Sequence, residues 1–424
     1  MRLLLPLAAG CLLTAATIPM APDGWRTWAP RAEIAPRTYI DRIHYRSHPG
    51  ALAVSGNGNA GVYGGWEYDV PGIHANTWYR FTAYYRAIGV PHESLEIVPR
   101  VDWKTAASKR AGRADYPYKT SRESDWNKVT ADVLAPTNAA TATLQLFLFN
   151  APQGTVWWDD ISLEPIPAPA PRPVTLATVN QRPSGTKSPA ESVRQFVAAV
   201  DHGVTGKVDV ILLPEGITVI GTGKGYVDVS ETIPGPTTAT LGELARRHSS
   251  YIVAGIYERE GEIVYNTAVL IDRQGEVAGK YRKVYLPSAE IEGGLTPGND
   301  YPVFRTDFGT VGLMICYDVF YSDPAHALAR QGAEIILLPI WGGDETLAKA
   351  RAIENQVFLV TSGYDHPTYI MDPTGNRIAS APQHGDVAIS TVDLNQRWWD
   401  AQLGDMRARR MKEERVDVRL PDRE

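Results

Sequence analysis

Cys316 is the first residue whose type and position suggest chemistry. It follows the apolar run Gly312 to Ile315, and a helix start follows at Asp323-Pro324. A strand-to-turn position of this kind presents a side chain at the carboxyl edge of a sheet, where α/β enzymes place reactive groups. Because a thiolate is a strong nucleophile, Cys316 is a candidate catalytic residue. A buried cysteine that only fills space is the alternative for this residue taken alone.

Three charged residues occupy comparable positions. Glu215 ends the apolar run that starts at Val210, Lys283 ends a predicted strand, and Glu290 follows in the next loop. A carboxylate, an ammonium and a thiol at strand ends could converge on one site and supply a base, a cation and a nucleophile. Taken singly, each charged residue is equally compatible with a solvated loop.

The N-terminus predicts a signal peptide over residues 1–21. Arg2 supplies a positive start, Leu3 to Leu13 an apolar segment, and Ala15 and Ala16 a small-residue cleavage site. We therefore expect an exported protein, periplasmic or secreted. A lipoprotein anchor at Cys11 is the alternative, but the leader would then have only ten residues and would lack leucine at position −3. A single thiol in an oxidising compartment favours a reactive role for Cys316.

Composition restricts the classes of function. The 424 residues are 44% hydrophobic and 21% charged, with a net charge of −6, which is ordinary for a globular protein and lacks the basic footprint of nucleic-acid binding. The nine histidines show no metal-ligand spacing, so neither a metal nor another cofactor is predicted. A Cys–His protease pairing with His326 or His366 is an alternative without a local signature.

Three segments follow the leader. Residues 22–165 contain eight of the eleven tryptophans and short alternating runs broken by Gly, Pro and Asn, a pattern typical of an all-β jelly roll. Residues 166–173 form a proline-rich linker of polyproline geometry. In residues 174–424, predicted strands alternate with predicted helices, beginning with a strand at Val174 to Asn180 and a helix at Ser188 to His202, which indicates an α/β enzyme domain.

The second domain contains four ordered blocks, Leu213-Pro214-Glu215-Gly216, Tyr281-Arg282-Lys283-Val284-Tyr285-Leu286 with Glu290, Gly309-Thr310-Val311-Gly312-Leu313-Met314-Ile315-Cys316-Tyr317-Asp318, and Arg351-Ala352-Ile353-Glu354-Asn355. Two shorter segments accompany them, Tyr265-Asn266-Thr267 and Gly332-Ala333-Glu334. Through these segments, the chain from about residue 174 to 405 resembles the nitrilase, or carbon–nitrogen hydrolase, superfamily.

The resemblance implies a four-layer α-β-β-α fold, dimerised through its helical face, and a Glu–Lys–Cys triad that needs no cofactor. Glu215 would be the general base, Lys283 the oxyanion cation and Cys316 the nucleophile that forms a thioester. Glu290 would hold Lys283 and shuttle protons. The backbone N–H of Tyr317 would help to bind the oxyanion.

The pocket departs from the family pattern. The Arg that often follows the Cys-Tyr-Asp run is absent, and Asp323 stands near the usual Glu. The Cys-Trp-Glu signature of nitrile hydrolysers is also absent. We therefore expect a small amide or N-carbamoyl substrate, with Trp341 as a pocket wall or, alternatively, simple core packing. Acyl transfer to an amine is the rival reaction.

Three segments of the first domain stand out, Asp23-Gly24-Trp25, Gly72 to Tyr84 and Val156-Trp157-Trp158-Asp159-Asp160-Ile161-Ser162-Leu163. By these segments the first domain resembles, more loosely, a galactose-binding-like, carbohydrate-binding-type β-sandwich. The resemblance implies a glycan as a partner, set against a purely structural or docking role. A glycan-binding protein with a non-catalytic second domain is the other rival for the whole chain.

Overall fold

The computed structural model describes residues 23–418 of the chain. The signal peptide expected at residues 1–21, with Cys11, lies outside the described residues. The described chain forms two compact units. Among the described residues, unit 1 contains 23–170 and 399–418, and unit 2 is Pro171–Trp398. Within residues 23–418, no helix is long and apolar enough to cross a membrane.

The N-terminal part of unit 1 is a sandwich of two antiparallel sheets. Strand order is β1-β4-β9-β6 in the four-stranded sheet and β2-β3-β10-β5-β8-β7 in the six-stranded sheet. A short helix, α1 (Glu93–Glu96), precedes β6. The strands are β1 (Arg26–Trp28), β2 (Arg37–Asp41), β3 (Ala51–Ser55), β4 (Tyr63–Pro71), β5 (Trp78–Ile88), β6 (Ile97–Lys104), β7 (Lys119–Glu123), β8 (Trp126–Leu134), β9 (Thr141–Phe149) and β10 (Thr155–Ile166).

Alternation along these strands builds the core of the sandwich. In β9, Leu144, Leu146 and Leu148 are fully buried and pack with Phe81 and Trp158 of the opposite sheet, because successive strand residues point to opposite faces. The sandwich predicted from the sequence is therefore present as two packed sheets. Strand β10 runs to Ile166, one residue past the expected domain boundary.

Unit 2 contains two further six-stranded sheets, with orders β15-β14-β13-β12-β11-β22 and β16-β17-β18-β19-β20-β21. The helices are α2 (Pro189–Gly203), α3 (Pro236–His248), α4 (Ser288–Glu292), α5 (Asp323–Arg330) and α6 (Glu345–Asn355). The strands are β11 (Pro173–Val179), β12 (Val210–Leu212), β13 (Tyr251–Glu260), β14 (Ile263–Ile271), β15 (Val277–Arg282), β16 (Val303–Arg305), β17 (Thr310–Leu313), β18 (Ile335–Pro339), β19 (Phe358–Ser362), β20 (Thr368–Met371), β21 (Arg377–Ala381) and β22 (Val387–Asp393).

Three apolar layers hold unit 2 together. Residues of both sheets, such as Leu212 and Leu337, form the central layer. Helices α2 and α3 pack on the outer face of the first sheet, with Phe196 at 0% exposure. Helices α5 and α6 cover the outer face of the second sheet through residues such as Leu328 and Ala352. The order of layers is therefore α-β-β-α, as the resemblance implied.

The C-terminal segment differs from the expected domain limits, which assigned residues 174–424 to one domain. Residues from Trp399 onward belong to unit 1 as β23 (Trp399–Asp400), β24 (Gly404–Asp405) and α7 (Met406–Glu413). Lys412 of α7 is 7% exposed and donates to the carbonyl of Ile97 at 3.0 Å. The C-terminal helix of unit 1 therefore contains a buried lysine. A buried ammonium requires such an acceptor, which fixes the helix against β6.

Candidate active site

Glu215 lies just past the end of β12, where the backbone turns away from the sheet. Leu213 N still donates to Val253 O of β13 at 2.8 Å, which anchors the strand end. A Cβ on Gly255 would come within 2.7 Å of Glu215 Cα, so this approach of two strands requires glycine. The Glu215 carboxylate is consequently buried, with 2% exposure.

Lys283 is held between two carboxylates. Its Nζ lies 3.0 Å from Glu215 Oε1 and 2.8 Å from Glu290 Oε1, and the residue is 1% exposed. Burial alone would lower the pKa of Lys283, but the neighbouring carboxylates of Glu215 and Glu290 outweigh it and raise the pKa above its ordinary value. The lysine is therefore a permanent buried cation.

Asn266 of β14 bridges the same carboxylates. Its side-chain nitrogen donates to Glu215 Oε1 at 2.7 Å and to Glu290 Oε1 at 3.1 Å, and its backbone carbonyl accepts from the backbone N–H of Lys283 at 2.8 Å. Both glutamates keep a second buried oxygen, Oε2, without a hydrogen-bond partner. Each carboxylate thus has one anchored oxygen and one that remains available.

Glu290 lies in the short helix α4, seven residues after Lys283. Burial and the neighbouring Glu215 charge raise the pKa of Glu290 to about 7, against the lowering effect of Lys283. Two ionised carboxylates around one ammonium leave an excess negative charge. Protonation of Glu290 removes that charge, so its pKa is raised. Glu290 can therefore exchange a proton near neutral pH.

Cys316 occupies a strained turn. Strand β17 ends at Leu313, and a 3-10 helix begins at Cys316 itself, whose φ of 42° is in the left-handed region. Non-glycine residues rarely adopt this conformation and do so most often at functional sites. The thiol donates to Gly342 O at 3.2 Å. Burial and the Glu215 charge raise the pKa of Cys316 to about 12, so a nearby base must remove its proton.

Asp318 connects the cysteine turn to the lysine strand. Its fully buried carboxylate accepts from Ile315 N at 2.9 Å, Tyr285 N at 3.0 Å and Tyr281 OH at 2.8 Å. Burial raises its pKa to about 6, although these donors oppose the shift. Asp318 therefore fixes the turn that carries Cys316 relative to the segment that carries Lys283.

Aromatic side chains surround this cluster. Trp341 packs edge-on against Tyr364, with ring centroids 4.9 Å apart, and immediately precedes Gly342, the acceptor of the thiol. Tyr364 OH donates to the backbone carbonyl of Glu215 at 2.9 Å. Tyr317 is half-buried and contacts Tyr321. Both aromatic residues singled out from the sequence, Tyr317 and Trp341, therefore adjoin the cysteine turn.

The structure places Glu215, Lys283 and Glu290 in direct contact and Cys316 within electrostatic range of Glu215 and Lys283. The connecting roles of Asn266 and Asp318 were missed from the sequence, although Asp318 ends one of the four blocks and Asn266 lies in a shorter segment that also fits the resemblance. For the alternative Cys–His pairing, the two side chains contact different groups. His366 Nδ1 lies 2.9 Å from Pro367 O, whereas the Cys316 thiol donates to Gly342 O. Among residues 23–418, no group of three or more His, Cys, Asp or Glu side chains could hold a metal ion.

The four-layer fold, with Glu, Lys and Cys side chains at its strand ends, is that of the nitrilase superfamily. Residues 174–397 match the Carbon-nitrogen hydrolase family, and the chain belongs to that family. It is therefore a hydrolase that acts on C–N bonds other than peptide bonds.

Curated relatives match over the same part of the chain. The omega-amidase NIT2 of Homo sapiens is 27% identical over 248 residues, which are 52% of this chain and 89% of that protein. A probable nitrilase of Schizosaccharomyces pombe is 32% identical over 208 residues, covering 44% of this chain and 76% of the relative. A solved carbon-nitrogen hydrolase from Helicobacter pylori shares the fold, with a TM-score of 0.50, 20% identity and coverage of 58% and 96% of the two chains.

Proposed function

We propose that unit 2 hydrolyses a small amide or N-carbamoyl compound through a thioester on Cys316. One observation carries the proposal. Glu215 is buried beside a permanent cation, its Oε1 is fixed by Asn266 and Lys283, and its Oε2 has no partner. A base with one anchored and one available oxygen suits a thiol that is protonated at rest.

In the first half-reaction, Glu215 takes the thiol proton and the sulfur of Cys316 attacks the substrate carbonyl carbon. The resulting oxyanion is stabilised by the Lys283 ammonium and by the Tyr317 N–H, which lies at the start of the 3-10 helix. The intermediate collapses, the C–N bond breaks, and the amine leaves with the proton from Glu215.

In the second half-reaction, Glu215 removes a proton from water, which attacks the thioester carbon. The C–S bond breaks, the carboxylic acid leaves, and Cys316 regains its proton. Lys283 stays charged throughout because Glu215 and Glu290 hold it. Glu290, with a pKa of about 7, absorbs changes in the charge of the cluster.

The amide class is supported by the name of a relative, the omega-amidase NIT2. Ammonia release from a panel of small amides, carbamoyl compounds and nitriles tests this assignment. Hydrolysis of amides by wild type and none by Cys316→Ala supports it. Turnover of nitriles alone would refute it.

Acyl transfer remains the rival fate of the thioester. A competing amine such as hydroxylamine distinguishes the two reactions, because transfer gives a hydroxamate and hydrolysis a free acid. We propose hydrolysis, and we expect the acid to predominate when water is the only abundant acceptor.

We also propose that the protein is exported, that residues 1–21 are removed, and that it works as a homodimer or higher homo-oligomer. N-terminal sequencing of the protein from fractionated cells tests export and cleavage. Sedimentation tests the oligomeric state. Glycan binding by the β-sandwich is a separate proposal, and it does not depend on turnover at Cys316.

A further inference from the structure

Tyr226 lies in the segment that joins Glu215 to α3. Burial raises the pKa of its hydroxyl, and the carboxylates of Glu290 and Glu215 raise it further. Lys283 and Cys316 also lie within electrostatic range of this hydroxyl. Tyr226 therefore borders all four groups of the proposed reaction.

The ring of Tyr226 is held in place by its neighbours. It stacks on Tyr257 of β13, with ring centroids 4.9 Å apart and planes inclined by 30°. At Gly293, at the C-terminal end of α4, a Cβ would come within 2.7 Å of Tyr226 Cδ2, so the ring packs directly on that backbone. Arg259 donates to the carbonyl of the next residue, Val227, at 2.9 Å. The orientation of the ring is therefore set before a substrate arrives.

Tyr226 and Trp341 pack against one apolar cluster, and both rings are only half-buried. Trp341 immediately precedes Gly342, whose carbonyl accepts from the Cys316 thiol. Two accessible aromatic rings on one apolar surface thus lie close to the nucleophile and to the carboxylates. The buried members of the cluster are Val219, Val229, Tyr257, Val264 and Leu295.

Apolar side chains continue from this surface to solvent. Val227, next to Tyr226, is 39% exposed, and Ile291, next to Glu290, is 58% exposed. Tyr257, by contrast, is 1% exposed, as expected for a residue that packs in a core. Apolar side chains that stay accessible beside catalytic groups are typical of a ligand pocket.

The catalytic cluster disfavours charged acyl groups. Glu215 and Glu290 place two carboxylates around the single ammonium of Lys283, which leaves an excess negative charge when both are ionised. A carboxylate on the substrate would be repelled by that charge. An ammonium on the substrate would compete with Lys283 for the same two carboxylates. An uncharged group avoids both penalties and matches the apolar surface.

We propose that unit 2 prefers amides whose acyl group is uncharged and ends in an aromatic ring, and that Tyr226 determines this preference. The substrate ring packs against Tyr226 and Trp341 while the carbonyl carbon reaches Cys316. Aromatic rings gain from offset or edge-on contacts in addition to the burial of their apolar area. The inference rests on the proposed amide hydrolysis and adds the class of acyl group.

Steady-state ammonia release by the full chain tests the proposal. The probes are acetamide, 3-phenylpropanamide and succinamate, whose acyl groups end in a methyl group, an uncharged ring and a carboxylate. Tyr226→Ala removes the ring, and Tyr226→Phe keeps the ring without the hydroxyl. Gly293→Ala keeps Tyr226 but places a methyl group against its ring. Tyr251→Ala is the matched control, since Tyr251 is half-buried at the start of β13 and packs edge-on against Phe308, with centroids 5.3 Å apart.

We expect kcat/KM for 3-phenylpropanamide to exceed the values for acetamide and succinamate by about tenfold or more. Tyr226→Ala and Gly293→Ala should remove most of that advantage. Tyr226→Phe should restore it, because the ring and not the hydroxyl makes the contact, and Tyr251→Ala should keep it. Circular dichroism checks that every variant is folded.

A preference for succinamate, or an equal loss for all three amides in Tyr226→Ala, would overturn the proposal. Turnover of acetamide without a preference for 3-phenylpropanamide would also overturn it, but would leave amide hydrolysis at Cys316 standing. Release of ammonia from none of the amides would refute the proposed function and this inference with it.

Discussion

Asn266 donates to the same oxygen of Glu215 that Lys283 contacts. The two distances to Glu215 Oε1 are 2.7 Å from the Asn266 amide and 3.0 Å from the Lys283 ammonium. Two donors on one oxygen direct the carboxylate so that Oε2 is left for the thiol proton. The base of the proposed reaction is therefore oriented by a residue that takes no part in the chemistry.

Asn266→Ala should lower kcat by about 10- to 100-fold, because loss of a hydrogen bond to a charged group costs about 1.5–3 kcal/mol. KM should change little, since Asn266 acts on the carboxylates. Steady-state ammonia release measures both parameters. Asn376→Ala, which removes an exposed amide, is the matched control. A variant with wild-type kcat would show that Glu215 needs no such orientation.

Asp318→Asn should reduce both stability and activity. The carboxylate accepts from two backbone N–H groups and the Tyr281 hydroxyl. The asparagine NH₂ group would replace one accepting oxygen, so it would face one of these donors without a hydrogen bond. We expect a loss of about 2–3 kcal/mol in the free energy of unfolding, measured by urea denaturation. Asp307→Asn, at an exposed carboxylate, should lie within about 0.5 kcal/mol of wild type. Equal stability of the two variants would contradict the linking role of Asp318.

Glu290 should make unit 2 less stable as pH rises. Its pKa is raised from 4.5 to about 7, so the folded state binds the proton more tightly than the unfolded chain. That contribution is full below about pH 4.5 and is lost as pH rises through about 7. Glu290→Gln cannot lose this proton. The free energy of unfolding of Glu290→Gln should therefore fall less than that of wild type between about pH 5 and about pH 7. The difference between the two falls should reach at most about 3 kcal/mol.

Urea denaturation at several pH values measures the slope for Glu290→Gln. Glu262→Gln, at an exposed position in the same unit, serves as the control and should follow wild type. If Glu290→Gln and wild type show the same slope, Glu290 is ionised throughout this range and does not serve as a proton reservoir.

Trp341→Ala should change substrate selection more than chemistry. The indole packs against Tyr364 and adjoins the acceptor of the Cys316 thiol, so it limits the space beside the nucleophile. KM for amides with bulky acyl groups should change by about tenfold, as expected for apolar contacts, while acetamide provides the internal comparison. Equal effects on all amides would favour a packing role for Trp341.

The alternation of helices and strands in unit 2 could be predicted from the sequence, because apolar residues repeat with a different spacing in a helix and in a strand. The helix predicted at Ser188 to His202 is α2 (Pro189–Gly203) in the structure, and Ser188 caps it by accepting from Glu191 N. The apolar run that reaches Ile315 is a strand only as far as Leu313. The tight turn at Cys316 depends on Asp318 and on the left-handed backbone, neither of which has a local sequence pattern.

The C-terminal segment was assigned from the sequence to the α/β domain, whereas in the structure it belongs to unit 1. A helix rich in Arg and Glu looks solvated wherever it packs, because charge patterns do not identify the partner surface. Only the structure places Lys412 against the Ile97 carbonyl. The proximity of Asn266 to both glutamates is likewise a long-range relationship, set by pairing of β13, β14 and β15.

Intact mass spectrometry during turnover of a small-amide panel is the most direct test of the proposed thioester on Cys316. Wild type should gain the mass of an acyl group as the amine is released, and Cys316→Ala should show neither. Lys283→Ala should accumulate little adduct because the oxyanion loses its cation. Amine release by Cys316→Ala at the wild-type rate, or an acyl group mapped to another residue, would contradict the account.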